Sequence, residues 1–174
     1  MSRFFAFLAM ASLAAAQDPL STELRTAYTI IKNNLIKMAE RMPEKHYSFK
    51  PVMEVQTFQL RMAHIADANM RTCSGLLGER KSVGAAAKTV QADLIAAVKE
   101  SFATCDRVFD PMTDQAAAEL VPGELGSPVW PAGTKRTRLS TLWNLVRHSN
   151  ELYGYMSVYM RIKGIVPPST APQD

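Results

Sequence analysis

The sequence lacks most of the signatures that identify an enzyme by inspection. It has no H-E-x-x-H, no P-loop, no G-x-S-x-G and none of the E-x-x-H pairs of di-iron bundles. Only two of its 174 residues are cysteine, and no C-x-x-C-H is present, which excludes covalent haem attachment. The formal net charge is +4, too small and too spread to point to a nucleic-acid partner. There is no repeat at solenoid spacing and no credible series of strands. After residue 16 no apolar run is long enough to span a bilayer. What is present fits one domain of ordinary apolar content, long enough to bury a real core.

The first residues read as an address. Arg3 precedes an apolar run from Phe4 to Ala16, and Ala14-Ala15-Ala16 is an A-x-A cleavage pattern. The expectation is a signal peptide over residues 1–16, a mature chain from Gln17, and an exported product, periplasmic or secreted, without a stable membrane anchor. No cysteine follows the cleavage point that would carry a lipid.

The rest of the chain is written in helical periods. Leu24, Tyr28, Ile31, Leu35, Met38 and Met42 alternate spacings of four and three, the seam of a bundle helix over 19–41. Asp18 and Pro19 read as its N-cap and first residue. A connector with two prolines follows and contains His46, a surface histidine on this reading. A second helix is expected over 57–77, with Phe58, Met62, Ile65, Asn69, Cys73 and Leu76 as its stripe and Gly78 as its stop. A third is expected over 87–109, with Ile95, Val98, Phe102, Cys105 and Phe109. Residues 114–120 read as one or two extra turns. Residues 121–138 hold three prolines and three glycines and read as an irregular connector with Trp130 packed in it and a solvated KRTR run. The last helix carries Leu142, Leu145, Ser149, Leu152, Met156 and Tyr159, and Gly164 closes it before Pro167-Pro168. Residues 167–174 read as a disordered tail. Four long amphipathic helices around one core make an all-α four-helix bundle.

Both cysteines fall on core-facing stripes near the ends of their helices. Export favours a disulfide, and two buried thiols are the other reading. The positions meet only if the second and third helices run parallel or their ends cross steeply. His64 and His148 lie on different helices near inward faces, each with an acidic residue three positions on, Asp67 and Glu151. Imidazoles from facing helices are how bundle cores hold metals, and the carboxylates are either further ligands or partners that orient the rings.

MAHIADANMRTCSGLLGER, SFATCD and RHSNELYGYMSVYMRIKGIVPPS resemble the DinB family, in a superfamily with the bacillithiol- and mycothiol-dependent transferases and isomerases. The resemblance covers roughly residues 20–169. It implies an up-down-down-up topology, which is the arrangement the cysteine pair requires. It also implies a divalent metal, zinc or nickel, held by three histidines, two of which match His64 and His148. The third falls on Leu152, where this chain reads H-S-N-E-L-Y-G. Leucine cannot coordinate. The resulting expectation is an exported DinB-like bundle with a degenerate two-histidine metal site, binding a small molecule or a protein. No catalytic residue is assigned. The alternative is a metal-dependent hydrolase or thiol-dependent transferase that uses His64 and His148. Family members often pair, so a homodimer is a further expectation.

Overall fold

The structure, a computed structural model, describes residues 18–126 and 130–172. The expected signal peptide and the residues at the centre of the long connector lie outside the described residues. Among those described, four long helices form the bundle: α1 (Pro19–Arg41), α2 (Phe58–Leu76), α3 (Gln91–Phe109) and, after the short α4 (Asp114–Ala118), α5 (Arg138–Ile162). None of them is long and apolar enough to cross a membrane.

Contacts between helix ends fix the topology. Arg25 near the start of α1 donates to the Phe109 carbonyl at the end of α3 (3.0 Å), and Glu40 near the end of α1 pairs with Lys99 in mid-α3 (2.7 Å), so these two run antiparallel. Cys73 and Cys105, each near the C-terminal end of its helix, are joined with Cα atoms 5.0 Å apart, so α2 and α3 run parallel. Arg61 at the start of α2 donates to Tyr159 near the end of α5 (3.1 Å), which makes that pair antiparallel. The bundle is therefore up-down-down-up, the topology that the family resemblance implies.

The core is the set of expected stripes. Leu24, Tyr28, Ile31, Leu35, Met38 and Met42 of the first helix and its end are all buried, as are Phe58, Met62, Ile65 and Cys73 of α2. On α3 the stripe is shifted by a residue at its start: Leu94 is buried and Ile95 only partly. Tyr28 stacks on Phe109 with ring centroids 3.8 Å apart, and its hydroxyl donates to Asp106 (2.8 Å). Burial first, then that carboxylate, pushes the Tyr28 phenol far above its ordinary range.

Locally the structure departs from the sequence pattern in five places. Asp18 stands at the N-cap position of α1 before Pro19, but its side chain does not cap that helix. Its carboxylate accepts from the Asp114 amide (2.8 Å), while the Asp114 carboxylate accepts from the amides of Leu20 (3.2 Å) and Ser21 (2.8 Å). The two aspartates cap each other's helix, an exchange between residues far apart in the chain. The third helix begins at Gln91 and not at Ala87, because Ala85–Ala87 form a separate 3-10 turn and Lys88 and Val90 are extended. That turn is held by Asp67, which accepts from Ala85 (2.8 Å) and Ala86 (3.1 Å). The connector before α5 is not wholly irregular: β1 (Leu120–Pro122) and β2 (Lys135–Thr137) pair antiparallel. Strands of three residues are too short to carry a period-two signal. The KRTR run is largely engaged, with Arg136 over the Trp130 ring (4.1 Å) and Arg138 paired to Glu119 (2.9 Å). Finally, the tail is ordered through Thr170. Pro168–Thr170 form a 3-10 turn whose Ser169 amide donates to the Tyr153 hydroxyl (2.8 Å), and Arg161 donates to Thr170 (2.7 Å).

Candidate functional site

The antiparallel pairing of α2 and α5 sets His64 opposite His148. Thr57 caps α2 through the Leu60 amide and Thr137 caps α5 through the Ser140 amide, so both helices start at fixed residues and the two rings arrive at one level. Their Nε2 atoms are 3.0 Å apart, with the rings edge to face at 85°. At that distance one nitrogen carries a proton and the other accepts it, since two N–H groups would repel. Burial first, then the charge of His64, holds the His148 imidazolium below its ordinary range, and Glu151 opposes them. The Glu151 carboxylate lies 3.8 Å from Nδ1 of His148, too far for a hydrogen bond but close enough to act on the ring's charge.

Two imidazoles bound to one ion at about 2.0–2.1 Å and a right angle would have nitrogens about 3 Å apart, so the pair suits a common ion. The rest of the set does not follow. Asp67 is turned away, with both oxygens engaged by the Ala85 and Ala86 amides. Glu151 approaches His148 from Nδ1, the nitrogen that does not face His64. Leu152, one turn after His148, is buried in the apolar core. Among the described residues no group of three or more His, Cys, Asp or Glu side chains is placed to hold a metal. A catalytic centre of three protein ligands does not fit these residues. His46 sits in a 3-10 turn between α1 and α2 and does not line the cleft described next.

Beside the histidine pair lies a cleft of about 250 Å³ between α2, α5 and the connector. The connector is pinned over it by Thr72, which donates to the Leu125 carbonyl (2.8 Å), and by Asn144, which donates to the Gly126 carbonyl (2.8 Å). Gly126 approaches Thr141 so closely that a Cβ there would lie 3.2 Å from the threonine methyl. The lining mixes the apolar Ala68 and Leu145 with polar and cationic side chains. Arg71 and Arg147 are exposed at the cleft, and Arg147 donates to Asn144 (2.9 Å). Asn69 also lines it, at 1% exposure, and its side-chain nitrogen has no hydrogen-bond partner among the described residues. The periodicity assigns Asn69 to the core stripe and leaves Asn144 and Arg147 unmarked. The readable signal was the amide itself, a polar residue in a row otherwise filled by Phe, Met, Ile and Cys.

Among solved structures, the chain is similar to a DinB-like protein from Bacillus cereus ATCC 10987. The TM-score is 0.65 at 16% sequence identity, over 86% of this chain and 97% of that one. The likeness shows a DinB-like fold. No protein-family model matches the chain, and no curated protein matches it.

Proposed function

We propose that this DinB-like bundle is an exported binding module that takes a small molecule in the cleft beside His64 and His148, with the metal site of its fold reduced to two imidazoles. The observation that carries the reading is the pairing of an open cleft of mixed polar and apolar lining with a site one ligand short: Leu152 is buried apolar bulk where a third imidazole would stand. In this reading the histidines form a wall of the pocket. The pair offers one free edge and a shared proton to whatever enters, and it holds a divalent ion only weakly.

The second reading, a zinc- or nickel-dependent hydrolase or thiol-dependent transferase, is favoured by one distance, the 3.0 Å between the facing Nε2 atoms. Metal analysis of the protein purified without a histidine tag separates the two. The expected result is well under one ion per chain, rising to about one in Leu152→His. About one zinc or nickel per wild-type chain, lost in His64→Ala, would overturn the binding-module reading.

A further inference from the structure

We infer that the ligand of this cleft is a small organic anion, its carboxylate held between Arg71 and Arg147 and reached by the Asn69 amide. The inference rests on the reading of the cleft as a small-molecule site and adds the charge class of what it takes. Three observations converge. First, Arg71 of α2 and Arg147 of α5 both line one cavity, from opposite walls. Arg71 enters no ion pair among the described residues, and Arg147 has only a loose one, 3.7 Å to the exposed Glu151. Planar guanidinium donors match a carboxylate two bonds at a time, which a neutral group cannot reproduce. Second, the Asn69 amide nitrogen is buried without a partner at the same cavity. Such a donor is costly to keep; the nitrogen is sealed from the cleft, so an acceptor brought by a ligand satisfies it by drawing the side chain outward. Third, the size is restrictive. At about 250 Å³ the cleft falls just below the ~300–1,000 Å³ of pockets for drug-sized ligands. Along α2 it runs from His64 to Arg71, about 10 Å at 1.5 Å per residue. That is more than an inorganic oxyanion fills and suits a compact acid with a short apolar or hydroxylated body lying toward the imidazoles.

The test is a ¹H–¹⁵N NMR titration of the purified protein in low-salt, carboxylate-free buffer with benzoate, its neutral isostere benzamide, and inorganic phosphate. Benzoate is expected to shift the Asn69 side-chain amide and the Arg71 and Arg147 Nε signals saturably, and benzamide to bind at least about tenfold more weakly. Arg71→Gln and Arg147→Gln should each weaken benzoate about tenfold, as loss of a charged hydrogen bond does, and Lys37→Gln on the far helix should leave it unchanged. Asn69→Leu should lower benzoate affinity while the unfolding midpoint holds or rises. A midpoint that falls with affinity unchanged would make Asn69 a structural amide and remove it from the site. Equal binding of benzoate and benzamide overturns the anion assignment and keeps the cleft. Saturation by phosphate alone replaces the organic ligand with an inorganic one and overturns the assignment too. No saturable response to any of the three overturns both the anion and the small-molecule reading.

Discussion

Helix α2 has two seams, and they are built in opposite ways. Toward α3 it packs most extensively, parallel, with the buried Cys73–Cys105 link joining the two helices near their C-terminal ends. Toward α5 the same helix presents His64, Asn69 and Arg71 to a cleft, with a hydrogen-bonded pair of imidazoles, an amide left unsatisfied and cations at the surface. Cys73 and Asn69 are four residues apart, one turn. The first seam has given up reactivity for cohesion. The second has kept unpaired polar groups that a seam selected only for stability would have replaced by apolar ones. A rigid closed seam is what lets the open one hold its side chains at fixed positions.

The strongest way to break the contrast is to open the closed seam. Cys73→Ala with Cys105→Ala removes a link between residues separated by 32 positions. The loop-entropy relation puts the loss at about 3–4 kcal/mol, to be read from denaturant unfolding with and without reductant. The histidine and arginine NMR signals of the folded double variant should stay in place. A loss under about 1 kcal/mol, or a rearranged cleft, would mean that the two seams are not separate.

A smaller effect belongs to the open seam. Burial, then His64 and Arg147, keeps His148 from protonating, so its folded pKa lies below the ordinary 6.5. The folded state binds fewer protons there than the unfolded chain. That contribution is complete above pH 6.5 and is lost as pH falls through the depressed value. The unfolding midpoint should decline on acidification from pH 7 to 5, and His148→Gln should flatten this limb. An unchanged slope in the variant would take the histidine pair out of the acid response.

The smallest effect lies at the rim of the closed seam, where Arg107 of α3 grips Glu79 with two bonds (2.6 and 3.0 Å) and Lys81 adds a third contact (3.0 Å). These bonds hold the Glu79 carboxyl at about 2, below its ordinary 4.5. Its contribution is present above pH 4.5 and lost as pH falls toward 2. Because the pair is exposed, Arg107→Gln should leave stability at neutral pH almost unchanged and be visible only as a Glu79 titration that moves back toward 4.5. A Glu79 midpoint already near 4.5 in the wild type would show that the grip does not form in solution.

Much of the frame was legible beforehand. The 3.6-residue period marks the seams of α1, α2 and α5 nearly residue by residue, because burying one face of a helix leaves a regular trace in sequence. The convergence of His64 and His148 was readable from their places on the flanks of two apolar stripes together with the family resemblance, and so was the apolar residue at 152; that the pair sits at the exposed edge of the seam was not. Less legible was anything set by partners distant in the chain. Asp18 looks like a cap and caps α4 instead of α1, because the choice between two N-termini depends on where Asp114 lies. Asp67 looks like a ligand beside His64, yet its carboxylate holds the Ala85–Ala87 turn, which periodicity had merged into α3. The three-residue strands and the ordered turn at Pro168–Thr170 are held by contacts and carry no pattern of their own.

The sequence by itself determined that there are four long amphipathic helices, which face of each is buried, and that two cysteines point inward with two histidines on the flanks of their stripes, since these follow from side-chain spacing on a helix and nothing else; in the structure His64 is exposed and His148 half-buried. Only the tertiary structure decided that the imidazole nitrogens stand 3.0 Å apart, that Asn69 is sealed at the edge of a cleft without a partner, and that Arg71 and Arg147 share that cleft. Those are facts of how α2 and α5 are set against each other and of where the connector lies across them. Spacing along one helix contains no information about the offset between two.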